Sequence, residues 1–370
     1  RVSQPAIRTT PRRPEVEVPI VTPAIPRTEV IVLNWNGLED TRAAIRSLLA
    51  QTVTPSVIHL VDNASDNDEA DALEAEFGDV VALRRNSANL GFTGGHNPTF
   101  RQILREGSCE FVALLNNDAE ADPRWLERML EDARRHPDCG VFAGHMVFHA
   151  RPEITENTGT DILTTGEAVP CDRNAPRELS DESRPRLGAC GGAVLYRVEM
   201  LREIGGFRDD FFTNFEDVDL SLRALATGWD ARFVAGAIVR HHLNRSIDKV
   251  RDDEFRIRSV RNLTSAYWIN MPWPVILLNS PWLLLSYVVV PIVSPLLGQW
   301  DLCRILVRGR TRTLLEFPHV IRERMRITKL RRGSWWRAWT RIWWRQRSCF
   351  AIYWNFLVDV VVLRRRRYMQ

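Results

Sequence analysis

A chain of 370 residues has ample material for one large domain or two modest ones, each with its own core. The net charge of +4 hides an asymmetry, because residues 301–370 hold eighteen Lys/Arg against four Asp/Glu, leaving an acidic remainder. Six cysteines lie scattered without a C-x-x-C pair, which is neither a disulfide framework nor a zinc site and suits a reducing compartment.

The first 27 residues are proline-rich and lack an apolar signal segment, so they are expected to form an extended or disordered leader. The ordered body begins at "EVIVLNWNG", a short apolar β-rich run closed by the turn residues Asn34 to Gly37. An amphipathic helix is expected over residues 40–50. The plan then repeats in "SVIHLVDNAS", with a strand over 57–61, Asp62 and Asn63 at its end, and a helix through Leu73. "VVALRRN" and "FVALLNND" supply two further strands. Strands alternating with helices indicate βαβ units and a parallel sheet, whose ligands bind beyond the carboxyl ends of the strands. Asn34, Asp62, Asn86 and Asp118 are then expected at one shared edge.

"NLGFTGGHN" adds a glycine-rich turn leading into a helix. Glycines there let backbone N–H groups approach an anion, and the helix N-terminus favours negative charge. Such a turn is weak ground alone. Beside carboxylates at the same edge it suggests a diphosphate shared between backbone donors and Mg²⁺ or Mn²⁺.

The ordered motifs "VIVLNWNG", "VDNASDND", "NLGFTGGHN", "LLNNDAEADPRWL", "GACGGAVLYRVEML", "GGFRDDFFTNFEDVDLSLRA" and "VRHHLNRS" resemble the family 2 glycosyltransferases, closest to the rhamnosyltransferase-like branch. The resemblance spans residues 28–246. It implies an α/β fold of the GT-A type, a Rossmann-like and mostly parallel sheet, and inverting sugar transfer from a nucleotide-diphosphate donor such as a dTDP- or UDP-sugar. Carried over position by position, Asp62 resembles the carboxylate that contacts the donor's base or ribose, with Asn34 and Asn36 at the same pocket. Asn89, Gly91 and Gly95 fall in the turn near the diphosphate. Asn116 and Asp118 occupy the place of the family's metal-binding "DxD". Asn116 departs from that pattern, and one carboxylate in place of two weakens metal affinity. His241 resembles the histidine that closes the metal–diphosphate site, with His242 as its rival.

In "NFEDVDLSLRA", Glu216, Asp217 and Asp219 precede a helix, and acids there can simply complement its dipole. The resemblance instead makes Asp217 the catalytic base and Glu216 the neighbour that orients the acceptor or tunes the pKa. Inversion needs a base on the face opposite the leaving nucleotide, in a transition state of oxocarbenium character. "GACGGAVLYR" is expected either to shape the floor under donor sugar and acceptor or to serve as a tight packing bend, with equal weight residue by residue.

Residues 262–300 contain no Asp, Glu, Lys or Arg, a run longer than the ~20 apolar residues that span a bilayer. Five prolines interrupt it, so one straight spanning helix is not expected, and a buried core hairpin is the competing reading. Beyond it, "RRGSWWRAWTRIWWRQR" and "VVLRRRR" interleave arginine with tryptophan, a pairing suited to lipid headgroups. Nucleic acid is not the expected partner, because no nucleic-acid fold surrounds the segment.

The sequence thus divides into a leader (1–27), a GT-A domain (28–250) and a helical, Arg/Trp-rich membrane-associated region (251–370). The expected activity is glycosyl transfer to a lipid-linked or cell-surface glycan at the cytoplasmic face of the membrane, against an anionic lipid surface. A nucleotidyltransferase would carry a basic glycine-rich loop after the first strand, which "LNWNGLED" lacks. A catalytically inactive polybasic adaptor would have no need of Asp118 and Asp217.

Overall fold

The computed structural model describes residues 25–163, 166–242 and 252–332, with scattered positions from 334 to 340. Most of the leader and the Arg/Trp tail beyond 340 lie outside the described residues.

The amino-terminal half follows the expected alternation. Strand β1 (Thr28–Asn34) leads to helix α1 (Leu38–Leu49), β2 (Val57–Asp62) to α2 (Glu69–Phe77), and β3 (Ala82–Arg85) to α3 (Gly91–Glu106). Then come β4 (Phe111–Leu115), the short β5 (Ala119–Ala121) and α4 (Trp125–Arg135). The pairs β1–β2, β2–β3 and β1–β4 are all parallel. Val30, Ile31 and Val32 are fully buried, as a strand covered on both faces requires. Strand alternation splits them. Val30 and Val32 meet Ala44, Ile45 and Leu48 of α1, whereas Ile31 joins Phe100 and Ile103 of α3.

The second half completes the sheet from distant segments. It contains β6 (Cys139–Phe148), β7 (Arg151–Asn157), the small hairpin β8 (Thr160–Ile162) and β9 (Ala168–Pro170), β10 (Arg184–Arg186), and β11 (Ala193–Arg197). Helices α5 (Val198–Ile204) and α6 (Glu216–Thr227) precede β12 (Asp230–His241). The sheet runs β10-β12-β6-β11-β4-β1-β2-β3, with β5 added to β12 and β7 to β6. Strand β11 lies antiparallel between β4 and β6, while β12 runs parallel to β6. The result is a mostly parallel α/β sheet of the GT-A type.

The carboxy-terminal part is helical. Helix α7 (Asp253–Asn270) opens with the Asp252 carboxylate accepting from the Phe255 N–H. Its Ala266 and Tyr267 pack with Val218, Leu222 and Leu225 of α6. The uncharged run then breaks into α8 (Trp273–Leu278), α9 (Ser280–Leu284), a π-helical turn (Leu285–Val289) and α10 (Val290–Leu296). Pro274, Pro281 and Pro291 sit in first turns, where a missing N–H is tolerated. Helices α11 (Trp300–Leu315) and α12 (Phe317–Leu330) return toward the body. Among the described residues no helix is long and apolar enough to cross a membrane. The run is divided between core and surface: Met271, Val275, Ile276 and Leu283 are buried, whereas Leu277, Leu284, Ile292 and Leu296 are exposed.

Candidate active site

The carboxyl edge of the parallel strands opens into a cavity of about 240 Å³. Asn116, Asp118, His241, Glu216 and Asp217 all line it, together with Asn89 and Gly91.

Sheet pairing sets the first wall. The Asn116 N–H donates to the Gly192 carbonyl at 2.9 Å, and the His242 N–H to the Asp118 carbonyl at 2.9 Å. Strand β5 pairs antiparallel to β12, with Ala119 opposite His241. Asp118 Oδ1 therefore lies 3.1 Å from His241 Nε2, and the Asn116 amide lies 3.5 Å from the same nitrogen. The other ring nitrogen, Nδ1, is 2.9 Å from the Glu156 carboxylate. Burial alone would depress the imidazole, but the two flanking carboxylates outweigh it and raise its pKa to about 10. Burial likewise pushes Asp118 up, and His241 more than offsets it, leaving the carboxyl below its ordinary value. His242 faces the other way, toward Glu120, so His241 is the histidine beside Asp118.

The opposite wall is the start of α6. Phe212, Asn214 and Phe215 all have positive φ, a strained run that turns the chain sharply into the helix. Asp217 accepts N–H groups from Gly191 at 2.9 Å and Val218 at 2.7 Å. Glu216 Oε2 is buried without a hydrogen-bond partner. Desolvation raises both acids, and the Asp217 charge raises Glu216 further, well above its ordinary value. Burial beside a charge favours the protonated form of Glu216, and Asp217, the less buried of the two, is the carboxylate placed to take a proton. Asp219, the third acid, is fully buried with Arg223 at 2.7 Å and Asn270 at 2.9 Å, which makes it structural.

The remaining candidates divide. Asn34 and Asp62 share a network behind the cavity: the Asn34 amide donates to Asp62 Oδ1 at 2.9 Å, and the Ser65 N–H donates to Oδ2 at 3.1 Å. Asn36 accepts from the Asp66 N–H at 2.7 Å, tying the loops after β1 and β2 together. None of these three side chains lines the cavity itself, although Asn63 and Trp35 beside them do. Asn89 Oδ1 accepts the Gly91 N–H at 2.8 Å, and Gly91 has φ +69°, where a Cβ would meet the Phe212 carbonyl at 2.4 Å. Gly95 is not in this turn. It lies inside α3, where a Cβ would strike Leu33 at 2.4 Å, so it serves the close packing of helix on strand.

Sequence reasoning passed over Glu156, which fixes His241, and Asn262, which reaches the acid loop from α7. Asn262 Nδ2 is 2.9 Å from the carbonyls of Phe211 and Asn214 and 3.1 Å from that of Thr213. Glu156 carries no local signal, because only β6–β7 pairing brings it in. Asn262 is a polar residue heading an uncharged run, which is a signal available in the sequence. A larger cleft of about 600 Å³ between α3, α5 and α12 holds Arg101, Arg208, Arg223 and Arg326. These arginines pair with Asp209, Asp210, Asp219 and Glu323, consistent with scaffolding.

The profile of the family described as "Glycosyltransferase like family 2" matches residues 26–258, well over half of the chain. The chain belongs to this family. Among curated relatives, the O-antigen biosynthesis protein RfbC of Myxococcus xanthus is 29% identical over 235 residues, covering 60% of this chain and 18% of that protein. The N-acetylglucosaminyl-diphospho-decaprenol L-rhamnosyltransferase of Mycobacterium tuberculosis is 27% identical over 233 residues, covering 58% of this chain and 75% of its own length. This chain thus spans less than a fifth of the Myxococcus protein. A similar fold occurs in the mannosyltransferase PcManGT from Pyrobaculum calidifontis in complex with GDP-Man and Mn²⁺, with a TM-score of 0.50, 15% identity and 88% of each chain covered. GalNAc-T7 with UDP, GalNAc and Mn²⁺ has a TM-score of 0.52 at 12% identity, covering 66% of this chain and 48% of its own.

Proposed function

We propose that this family 2 glycosyltransferase transfers a sugar with inversion from a nucleotide-diphosphate donor, a dTDP- or UDP-sugar, to a hydroxyl of a lipid-linked or cell-surface glycan. One observation carries the reading: a single cavity joins the Asp118–His241 pair to Asp217 at the start of α6. In the step, the acceptor oxygen forms a bond to the anomeric carbon while the bond from that carbon to the diphosphate breaks. The hydroxyl proton passes to Asp217, and the nucleoside diphosphate leaves with the electron pair. The buried, protonated Glu216 adds no second charge beside the base.

The residues present suit a divalent cation, Mg²⁺ or Mn²⁺. Asp118 and His241 would hold it, and Asn116 stands beside them. Glu156 on Nδ1 orients the ring so that Nε2 faces Asp118, the usual arrangement behind a metal-binding histidine. Cation binding would displace the imidazole proton. Bound there, the cation would neutralise charge on the departing diphosphate. The solved proteins of similar fold hold Mn²⁺ with a nucleotide or nucleotide sugar, and the mycobacterial relative's name specifies a lipid-diphosphate acceptor. Asp62, Asn34 and Asn36 fix the loops near which the nucleoside would sit.

Transfer assayed with a panel of nucleotide sugars tests the proposal. Asp118→Ala should abolish transfer and weaken donor binding, and chelation should do the same to the wild type. Full turnover in excess EDTA overturns the cation's part.

A further inference from the structure

Three side chains that the proposed transfer does not use converge immediately beside it. Glu120 lies on β5, His149 just after β6, and His242 just after β12. His149 Nε2 lies 3.1 Å from Glu120 Oε1, and His242 Nε2 lies 3.8 Å from the same oxygen. The two imidazoles stack with centroids 3.7 Å apart and planes 21° from parallel. One ligand atom from each residue falls within 4.8 Å of the others.

Their backbones are held by the sheet. The His149 N–H donates to the His241 carbonyl at 2.8 Å, and the His242 N–H to the Asp118 carbonyl at 2.9 Å. Glu120 pairs with Arg240 across β5 and β12. Neighbouring residues of an extended strand point to opposite faces, so His241 turns inward to Asp118 and His242 outward to Glu120.

We infer that Glu120, His149 and His242 form a second divalent-metal site, of the Zn²⁺ class, back to back with the donor-cation pair. Two ligand atoms each ~2.0–2.1 Å from a tetrahedral zinc stand about 3.3–3.4 Å apart. The two Glu120-to-histidine separations of 3.1 and 3.8 Å bracket that spacing. The stacked imidazoles must swing apart to about 5 Å between centroids for both to point at one tetrahedral ion. Two borderline imidazole donors, with one hard carboxylate, make a set that suits Zn²⁺ over the all-oxygen preference of Mg²⁺ or Ca²⁺. The side chains are 35%, 29% and 21% exposed for His149, Glu120 and His242, so an ion can enter from solvent and keep water as a fourth ligand. The ion would clip together the ends of β5, β6 and β12, the strands that present Asp118 and His241. This assignment is independent of the glycosyl-transfer reading.

The test uses tag-free, full-length protein stripped of metal, in an Asp118→Ala background that disables the donor-cation pair. Titration with Zn²⁺ by calorimetry, and with Co²⁺ by visible absorption, should show a stoichiometric ion and the intense d–d bands of a four-coordinate N/O site. Zn²⁺ should also raise the melting temperature. Adding His149→Ala should weaken binding on the order of 100-fold or more and remove the thermal shift. If the metal-free melting temperature shows that His149→Ala does not fold, His149→Gln is substituted. No stoichiometric binding in Asp118→Ala overturns the inference. So does binding that survives loss of the His149 imidazole, or a Co²⁺ spectrum of an octahedral aquo-type ion.

Discussion

Two neighbouring acids at the start of α6 receive different environments from the same turn. Asp217 collects two backbone N–H groups, while one oxygen of Glu216 is buried without a partner. Hydrogen bonds to the ionised form favour charge on Asp217, and desolvation beside that charge keeps the proton on Glu216. A base acts when ionised, so turnover should be lost as pH falls through the raised pKa of Asp217. The acid limb of the rate profile should therefore lie above the ordinary aspartate range. Asp217→Asn should lower kcat by about two to four orders of magnitude with donor affinity little changed. Glu216→Gln replaces a group that is already uncharged, so it should leave that acid limb in place. Near-normal turnover in Asp217→Asn alongside a collapse in Glu216→Gln would reverse the assignment of base and neighbour.

At the scale of elements, the loop that presents Asp217 depends on α7, a helix that by sequence belongs to the carboxy-terminal region. Asn262 bonds to three carbonyls in the strained run before α6, and Asn270 holds Asp219 inside α6. Asn262→Ala would leave buried carbonyls unpaired, at about 1–3 kcal/mol, and would let the left-handed residues relax. Denaturant unfolding should register that loss, and kcat should fall more than donor affinity. A stability loss with unchanged kcat would mean that the clamp supports the fold alone. This dependence was hard to read because it joins residues fifty apart in sequence across two regions. The strands β1, β2 and β4 were legible, since each is a short apolar run ending in polar turn residues. Their carboxyl ends also gave the place of Asn34, Asp62 and Asp118. The antiparallel insertion of β11 between β4 and β6 was not legible, because no local pattern specifies a partner. Glycines misled at α3: Gly94 and Gly95 read as turn by propensity, yet Leu90 and Leu33 pack where their side chains would be.

Across the whole molecule, charge and apolar surface separate in a way that bears on where the enzyme works. Leu277, Leu284, Ile292, Leu296 and Trp300 are each between 58% and 81% exposed. They fall along the uncharged run, which the basic segment follows in sequence. The proposed attachment is interfacial: apolar side chains from α8 to α11 enter the headgroup boundary, and the basic tail is drawn to anionic lipid. Each basic residue near such a surface adds ~1 kcal/mol, an attraction that salt screens, whereas apolar burial persists in salt. A truncation at residue 250 is a poor soluble control, because it removes Asn262 from the loop before α6 and Asn270 from Asp219. Substitution on the exposed face is the cleaner test. Full-length protein should float with anionic liposomes at low salt and remain bound at high salt. Removing residues 341–370 should weaken flotation at low salt without ending it. Leu277→Glu combined with Leu296→Glu should release the protein at high salt while leaving donor binding intact, since neither side chain lines the cavity. If the full-length chain stays at the bottom of the gradient in every condition, the exposed apolar face serves another contact and the membrane proposal fails.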